Sequence, residues 1–116
     1  MLKKGFILRG SIFQNLKLKI MGKLERSIKI LQSAKPALLA TYPIKELAIF
    51  GSVSRKEDKE NSDIDILVEL DKPIGLLFIH LANELEGILG GKVDLVSRNG
   101  IKDKYFQEIK SDLIYV

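Results

Sequence analysis

Residues 46–70 read ELAIFGSVSRKEDKENSDIDILVEL, and the fold turns on how this stretch is divided. An apolar run from Leu47 to Phe50 stops at Gly51-Ser52. A charged stretch follows, Ser54 to Ser62, and Asp63-Ile64-Asp65 then leads into a second apolar run, Ile66 to Val68. Short apolar runs bounded by glycine and polar clusters read as strands. The division is therefore strand, glycine turn, short helix or loop, strand. At the start of the second strand the aspartates alternate with Ile64 and Ile66. Residues i and i+2 of a strand share a face, so both carboxylates leave one side and the isoleucines the other.

Two like charges so close repel and raise each other's pKa. A divalent cation removes that conflict, because hard cations take carboxylate oxygens and Mg²⁺ commonly completes its shell with substrate phosphates. Gly51 lets backbone approach a ligand closely, and a helix beginning there would present N–H groups to a phosphate. Ser52 suits either a phosphate contact or an N-cap. Arg55 and Lys56 read equally as phosphate ligands or as a solvated face. A Gly-Ser pair alone marks a turn, and an Asp-x-Asp alone marks a solvated strand edge. Ten residues apart, each against an apolar strand, they form a far more specific signal.

Outward from this centre the chain alternates helices and strands. Leu24, Ile28, Leu31 and Leu38 give residues 23–40 a helical period, with Pro36 as a kink or boundary. Tyr42-Pro43 is a turn, and residues 45–50 make the first strand. Val53 to Glu57 suits one or two helical turns, and residues 63–70 make the second strand. Ile74, Leu77, Phe78, Leu81, Leu85 and Ile88 mark an amphipathic helix over 74–89, stopped by Gly90-Gly91. Lys92 to Val96 is a third strand, residues 101–111 are helical, and Leu113 to Val116 is a short apolar tail. The expected fold class is α/β (α+β): a small mixed β-sheet with helices packed on it. Asp94 sits between Val93 and Leu95, which point to the opposite face. If that strand lies beside the second, three carboxylates converge. His80, the only histidine, reads as a surface or boundary residue.

The wording FGSVSR…NSDIDILVEL, with Lys92-Val93-Asp94-Leu95-Val96, resembles the minimal nucleotidyltransferases of the polymerase β-like superfamily over residues 25–116. The resemblance implies a polymerase β palm-like fold. It implies two Mg²⁺ ions held by Asp63, Asp65 and Asp94, with Asp94 helping to activate the acceptor hydroxyl. ATP is the implied substrate, its phosphates held at Gly51 and Ser52 with help from Arg55. The group includes antitoxins that adenylylate a tyrosine of a HEPN-domain ribonuclease toxin, so such a toxin is the implied partner. Many members have glycine after the arginine where this chain has Lys56, which bears on the geometry of that loop. Two alternatives stand beside this reading. One is a non-catalytic antitoxin that blocks its toxin by binding. The other is a small-molecule nucleotidyltransferase whose substrate domain a partner chain supplies.

At 116 residues the chain has room for one domain and one modest core. A homo- or hetero-oligomer would complete a site that so short a chain leaves open. There is no cysteine, which excludes disulfides and thiolate metal sites. No apolar run approaches the roughly 20 residues of a membrane span, and Arg9-Gly10 interrupts the apolar start too early for a signal peptide. The expected location is the cytoplasm. The net charge is +4, but residues 1–20 hold five bases and no acid, leaving 14 bases against 15 acids. Nucleic-acid binding needs a clustered basic face, and none shows in the body. The expected organisation is a basic extension or upstream-start segment over 1–22 and a nucleotidyltransferase domain over 23–116. Translation from Met21 is one reading of residues 1–20, and a basic amphipathic extension is the other.

Overall fold

The sheet is built around β1 (Ile44–Phe50) and β2 (Ile64–Leu70), which pair antiparallel. The computed structural model describes residues 21–116, and the expectations for residues 1–20 lie outside that range. β3 (Val93–Ser97) runs parallel to β2 on one edge, and β4 (Ile114–Tyr115) runs antiparallel to β1 on the other. The sheet is mixed and four-stranded, in the order β3-β2-β1-β4, as the expected fold class requires. The tail at 113–116 is more than apolar: Ile114 and Tyr115 pair with Ile49 and Ala48, and the Val116 N–H donates to the Leu47 carbonyl at 3.0 Å. Backbone groups at the edge of β1 are satisfied by whatever chain lies closest, and periodicity cannot report that.

One face of the sheet carries the main core. Ile64, Ile66 and Val68 of β2 are buried against α1 (Lys23–Thr41) and α3 (Leu77–Leu89). Leu24, Leu31 and Leu38 recur every seven residues on α1, two turns apart, so they line one stripe. Leu81 and Leu85 do the same on α3 and are fully buried. Full burial of such a side chain stabilises by about 1.5–3 kcal/mol, so this stripe fixes the helix.

Several boundaries differ from expectation, among them the short helix at 51–54 in place of 53–57, the second strand starting at 64 in place of 63, and two that show what packing and glycine decide. Pro36 does not end α1, which runs five residues further to Thr41. Pro36 is exposed, and Leu31 and Leu38 are anchored on either side of it, so packing outweighs the lost hydrogen bond. α3 begins at Leu77 and not at residue 74, because Gly75 turns the chain at φ 58°. Its exposed apolar residues therefore include Leu77 and Ile88, which the sequence pattern assigns to the stripe. Gly90 ends α3 in a left-handed conformation, φ 73°, its N–H donating to the Glu86 carbonyl at 2.9 Å.

The other face of the sheet has a smaller core. Phe50 and Leu67 pack with Ile109 of α4 (Asp103–Ile109), alongside Val96, Phe106 and Leu113. A 3₁₀ turn, Lys110–Asp112, carries the chain from α4 into β4. Among the described residues, no helix is long and apolar enough to cross a membrane.

Candidate active site

β1 ends where β2 begins, and β3 begins beside the start of β2, so three strand ends meet at one edge of the sheet. Phe50 pairs with Asp65, which puts Gly51 directly against that aspartate. A Cβ on Gly51 would stand 2.0 Å from Oδ2 of Asp65, and Gly51 holds φ 75°. Both the close approach and the left-handed backbone require glycine. The glycine turn and the acidic pair are thus one site.

Asp65 pairs in parallel register with Asp94. Ile64 and Ile66, its neighbours on β2, are buried on the opposite face, as the period-two argument requires. Asp63 stands one residue before the strand and is exposed. Burial first, then the charges of Asp94 and Asp63, push the Asp65 carboxyl above its ordinary value, while Arg55 pulls the other way. Asp65 therefore feels both neighbouring carboxylates at this edge.

The charge they concentrate suits a cation. All the donors are hard oxygens, which fits Mg²⁺. Among the described residues no three acidic or histidine side chains enclose a point by themselves. The expected convergence of all three carboxylates on one point is therefore not seen, and any Mg²⁺ here would have one or two protein carboxylates, with water and substrate phosphates filling its shell.

α2 (Gly51–Ser54) is a single turn. Phe50 takes its N-cap position without a side-chain cap, and Ser52 lies inside the turn. The expected helix N-terminus is therefore reduced to a glycine-serine backbone turn, with little aligned dipole behind it. Arg55 Nη1 donates to Asp112 Oδ2 at 2.6 Å, and its Nε to Glu57 Oε2 at 3.0 Å. Ser54 Oγ donates to the Asp112 carbonyl. Arg55 is thus a tie between the glycine turn and the 3₁₀ turn before β4, with its field reaching Asp65. A cleft of about 520 Å³ has Asp63 on its wall, with Lys23, Arg26, Asn61 and Lys92 among its other lining residues.

A nucleotidyltransferase domain model matches residues 24–116. The chain belongs to the nucleotidyltransferase domain family. A Methanocaldococcus jannaschii protein, provisionally named a protein adenylyltransferase, is 48% identical over 90 residues, covering 76% of this chain and 92% of that one. The protein adenylyltransferase MntA of Thermococcus cleftensis is 38% identical over 94 residues, 80% of this chain and 95% of the relative. A solved minimal nucleotidyltransferase superposes with a TM-score of 0.67 at 33% identity, covering 82% of this chain and 96% of that chain. A toxin–antitoxin crystal structure with AMP-PNP gives 0.60 at 26% identity, covering 79% and 70%.

Two features of this nucleotidyltransferase escape its sequence pattern. Lys56, where many minimal nucleotidyltransferases are expected to have glycine, adopts φ 59°. That is the left-handed region that favours glycine. Its ammonium reaches Glu25 Oε1 of α1 at 2.7 Å. Tyr105 on α4 stands near enough to Asp65 and Asp94 that, after burial, their charges raise its phenol above the ordinary value. No spacing rule links residue 105 to residues 65 and 94. Only the docking of α4 on the acidic face does so.

Proposed function

We propose that this nucleotidyltransferase transfers AMP from ATP to a tyrosine hydroxyl of a partner protein, a HEPN-type ribonuclease toxin, and thereby neutralises it in the cytoplasm. The observation that carries this reading is the register pair Asp65–Asp94, with the Asp65 carboxylate against Gly51. Asp63 and Asp65 would hold two Mg²⁺ ions together with Asp94. When bound, these ions neutralise triphosphate charge and lower the pKa of an acceptor hydroxyl. Gly51 and Ser52 offer backbone N–H groups and a hydroxyl to the β- and γ-phosphates. Asp94, at the exposed edge of β3, orients the acceptor hydroxyl and draws its proton. Attack on the α-phosphorus expels pyrophosphate. Arg55 adds positive charge at the rim, and a phosphate contact from it requires release of Asp112.

The relatives named protein adenylyltransferases and the toxin–antitoxin complex holding an ATP analogue support this assignment. The cleft beside Asp63, with Lys23, Arg26 and Lys92 on its walls, offers room and positive charge for phosphate or for the acceptor segment. To test it, the protein is incubated with labelled ATP and Mg²⁺, with and without the product of the neighbouring reading frame. Label on a tyrosine of that product, lost in Asp65→Asn, is the expected result. A tight complex that forms and silences the toxin without label would replace enzymatic neutralisation with simple blocking.

A further inference from the structure

Asp112 sits in the 3₁₀ turn between α4 and β4, 57 residues from Arg55 in the chain and beside it in the fold. Its Oδ2 accepts from Arg55 Nη1 at 2.6 Å, and its main-chain carbonyl accepts from Ser54 Oγ. Both donors belong to the end of the glycine turn, where the Arg55 N–H donates to the Gly51 carbonyl at 3.1 Å. The contact is thus made at the proposed phosphate cradle. Its two partners are held unequally. Asp112 is followed by Leu113, which packs in the smaller core, and by Ile114, which pairs with Ile49 of β1. Its side chain is 18% exposed, whereas that of Arg55 is 44% exposed and has rotamer freedom to swing. Glu57, which accepts from Arg55 Nε at 3.0 Å, lies two residues on and is exposed, so it follows Arg55 or turns to water. A guanidinium carries one positive charge, and two carboxylates already face it. While Asp112 holds Arg55, no net positive charge is left there for a triphosphate.

We propose that Asp112 is a positioning residue that competes with the triphosphate of ATP for Arg55. The inference rests on the function proposed above and adds a control on how tightly its site takes ATP. Carboxylate and phosphate present the same chemistry to a guanidinium, oxygens that accept its parallel N–H bonds. In the ligand-free chain the Asp112 carboxylate occupies that position. The β- and γ-phosphates carry more negative charge, and Arg55 leaves Asp112 for them. Asp112, fixed by its turn, stays behind as an unpaired carboxylate near the phosphates. Breaking the ion pair, and the repulsion that follows, offset part of the binding free energy of ATP. An amide at residue 112 keeps the shape of the side chain and removes the charge. Exposed ion pairs of this kind shift an equilibrium by up to about fivefold, which sets the scale of the effect.

The test measures equilibrium binding of a non-hydrolysable ATP analogue, with Mg²⁺, to the full chain by calorimetry. Asp112→Asn is expected to bind the analogue about two- to fivefold more tightly than the parent. In an Arg55→Gln background the same substitution is expected to change nothing, because the competition runs through Arg55. Loss of a merely structural tie would not tighten binding in a way that depends on Arg55. Equal or weaker binding by Asp112→Asn, or the same gain without Arg55, overturns the proposal. A second measurement needs no substitution and decides the matter if Asp112→Asn does not fold. The side-chain carboxyl resonance of Asp112 in the parent chain is expected to move as the analogue is added and to saturate with it. A resonance that stays still overturns the proposal. Transfer to the neighbouring-frame product separates this inference from the reading beneath it. In Asp112→Asn the KM for ATP is expected to fall by the same factor as the dissociation constant, and kcat is not expected to rise with it. If the parent labels that product and Asp112→Asn has the parental KM, the competition alone fails. If no variant binds the analogue or labels the product, the adenylyltransferase reading fails with it.

Discussion

Asp65 and Gly51 cannot be altered independently. A methyl at residue 51 collides with the Asp65 carboxylate and strains a backbone held at φ 75°. Gly51→Ala is expected to cost about 1–2 kcal/mol of stability. It is also expected to slow transfer by about 100-fold, since removing one electrostatic contact at a reacting phosphoryl group has effects of that order. Denaturant titration and a labelled-ATP assay read the two effects, and a variant with parental activity would separate the glycine turn from the site. Asp65 itself is held above its ordinary value of 3.8 by burial and by Asp94 and Asp63. A carboxyl whose folded pKa is raised favours the folded state while protonated. That contribution is present below the unfolded pKa and is lost as pH rises through the folded pKa. The ligand-free protein should therefore lose stability as pH climbs above 3.8 through this titration. Asp65→Asn should remove that loss and melt higher at neutral pH while abolishing transfer. Melting curves across the acid range decide it: parallel pH profiles for parent and variant would rule the explanation out.

Among the elements, α1 carries the clearest conflict between local and tertiary preference. Pro36 withholds an N–H from the helix ladder at an exposed position, yet Leu31 and Leu38 are buried on either side of it. Pro36→Ala restores a backbone hydrogen bond and disturbs no buried contact. It is expected to stabilise the fold by about 1–3 kcal/mol without changing transfer. An unchanged or lowered unfolding midpoint in denaturant would show that the proline acts chiefly by restricting the unfolded chain. The loop after α2 shows the opposite case. Lys56 accepts a left-handed backbone and places its ammonium on Glu25, linking the phosphate-side turn to the first turn of α1. Because that ion pair is exposed, it offsets little of the backbone cost.

At the scale of the molecule, Tyr42 joins the end of α1 to α3. Its hydroxyl donates to Glu84 Oε1 at 2.8 Å, which leaves His80 Nδ1, at 2.7 Å, to donate to it. His80, expected at the surface, is exposed but is held by this contact. Burial and the Glu84 carboxylate push the Tyr42 phenol from 10.0 up to about 12. Stability from this raised value is present below pH 10 and is lost as pH rises toward 12. Alkaline denaturation of the parent should therefore show a step in that window that Tyr42→Phe lacks, and coincident curves would exclude it. The strands, the glycine turn and the three aspartates are legible in the sequence, because a period of two and a chain-reversing glycine are local properties. β4 is not legible, since two residues carry no period. Nor are the Arg55–Asp112 tie and the closeness of Tyr105 to Asp65, since each joins segments far apart in the chain. The sequence by itself determined which residues are proposed to hold phosphate and metal. Only the tertiary structure decided that Asp94 stands opposite Asp65, because the register of β3 on β2 joins two strands that a whole helix separates in the chain.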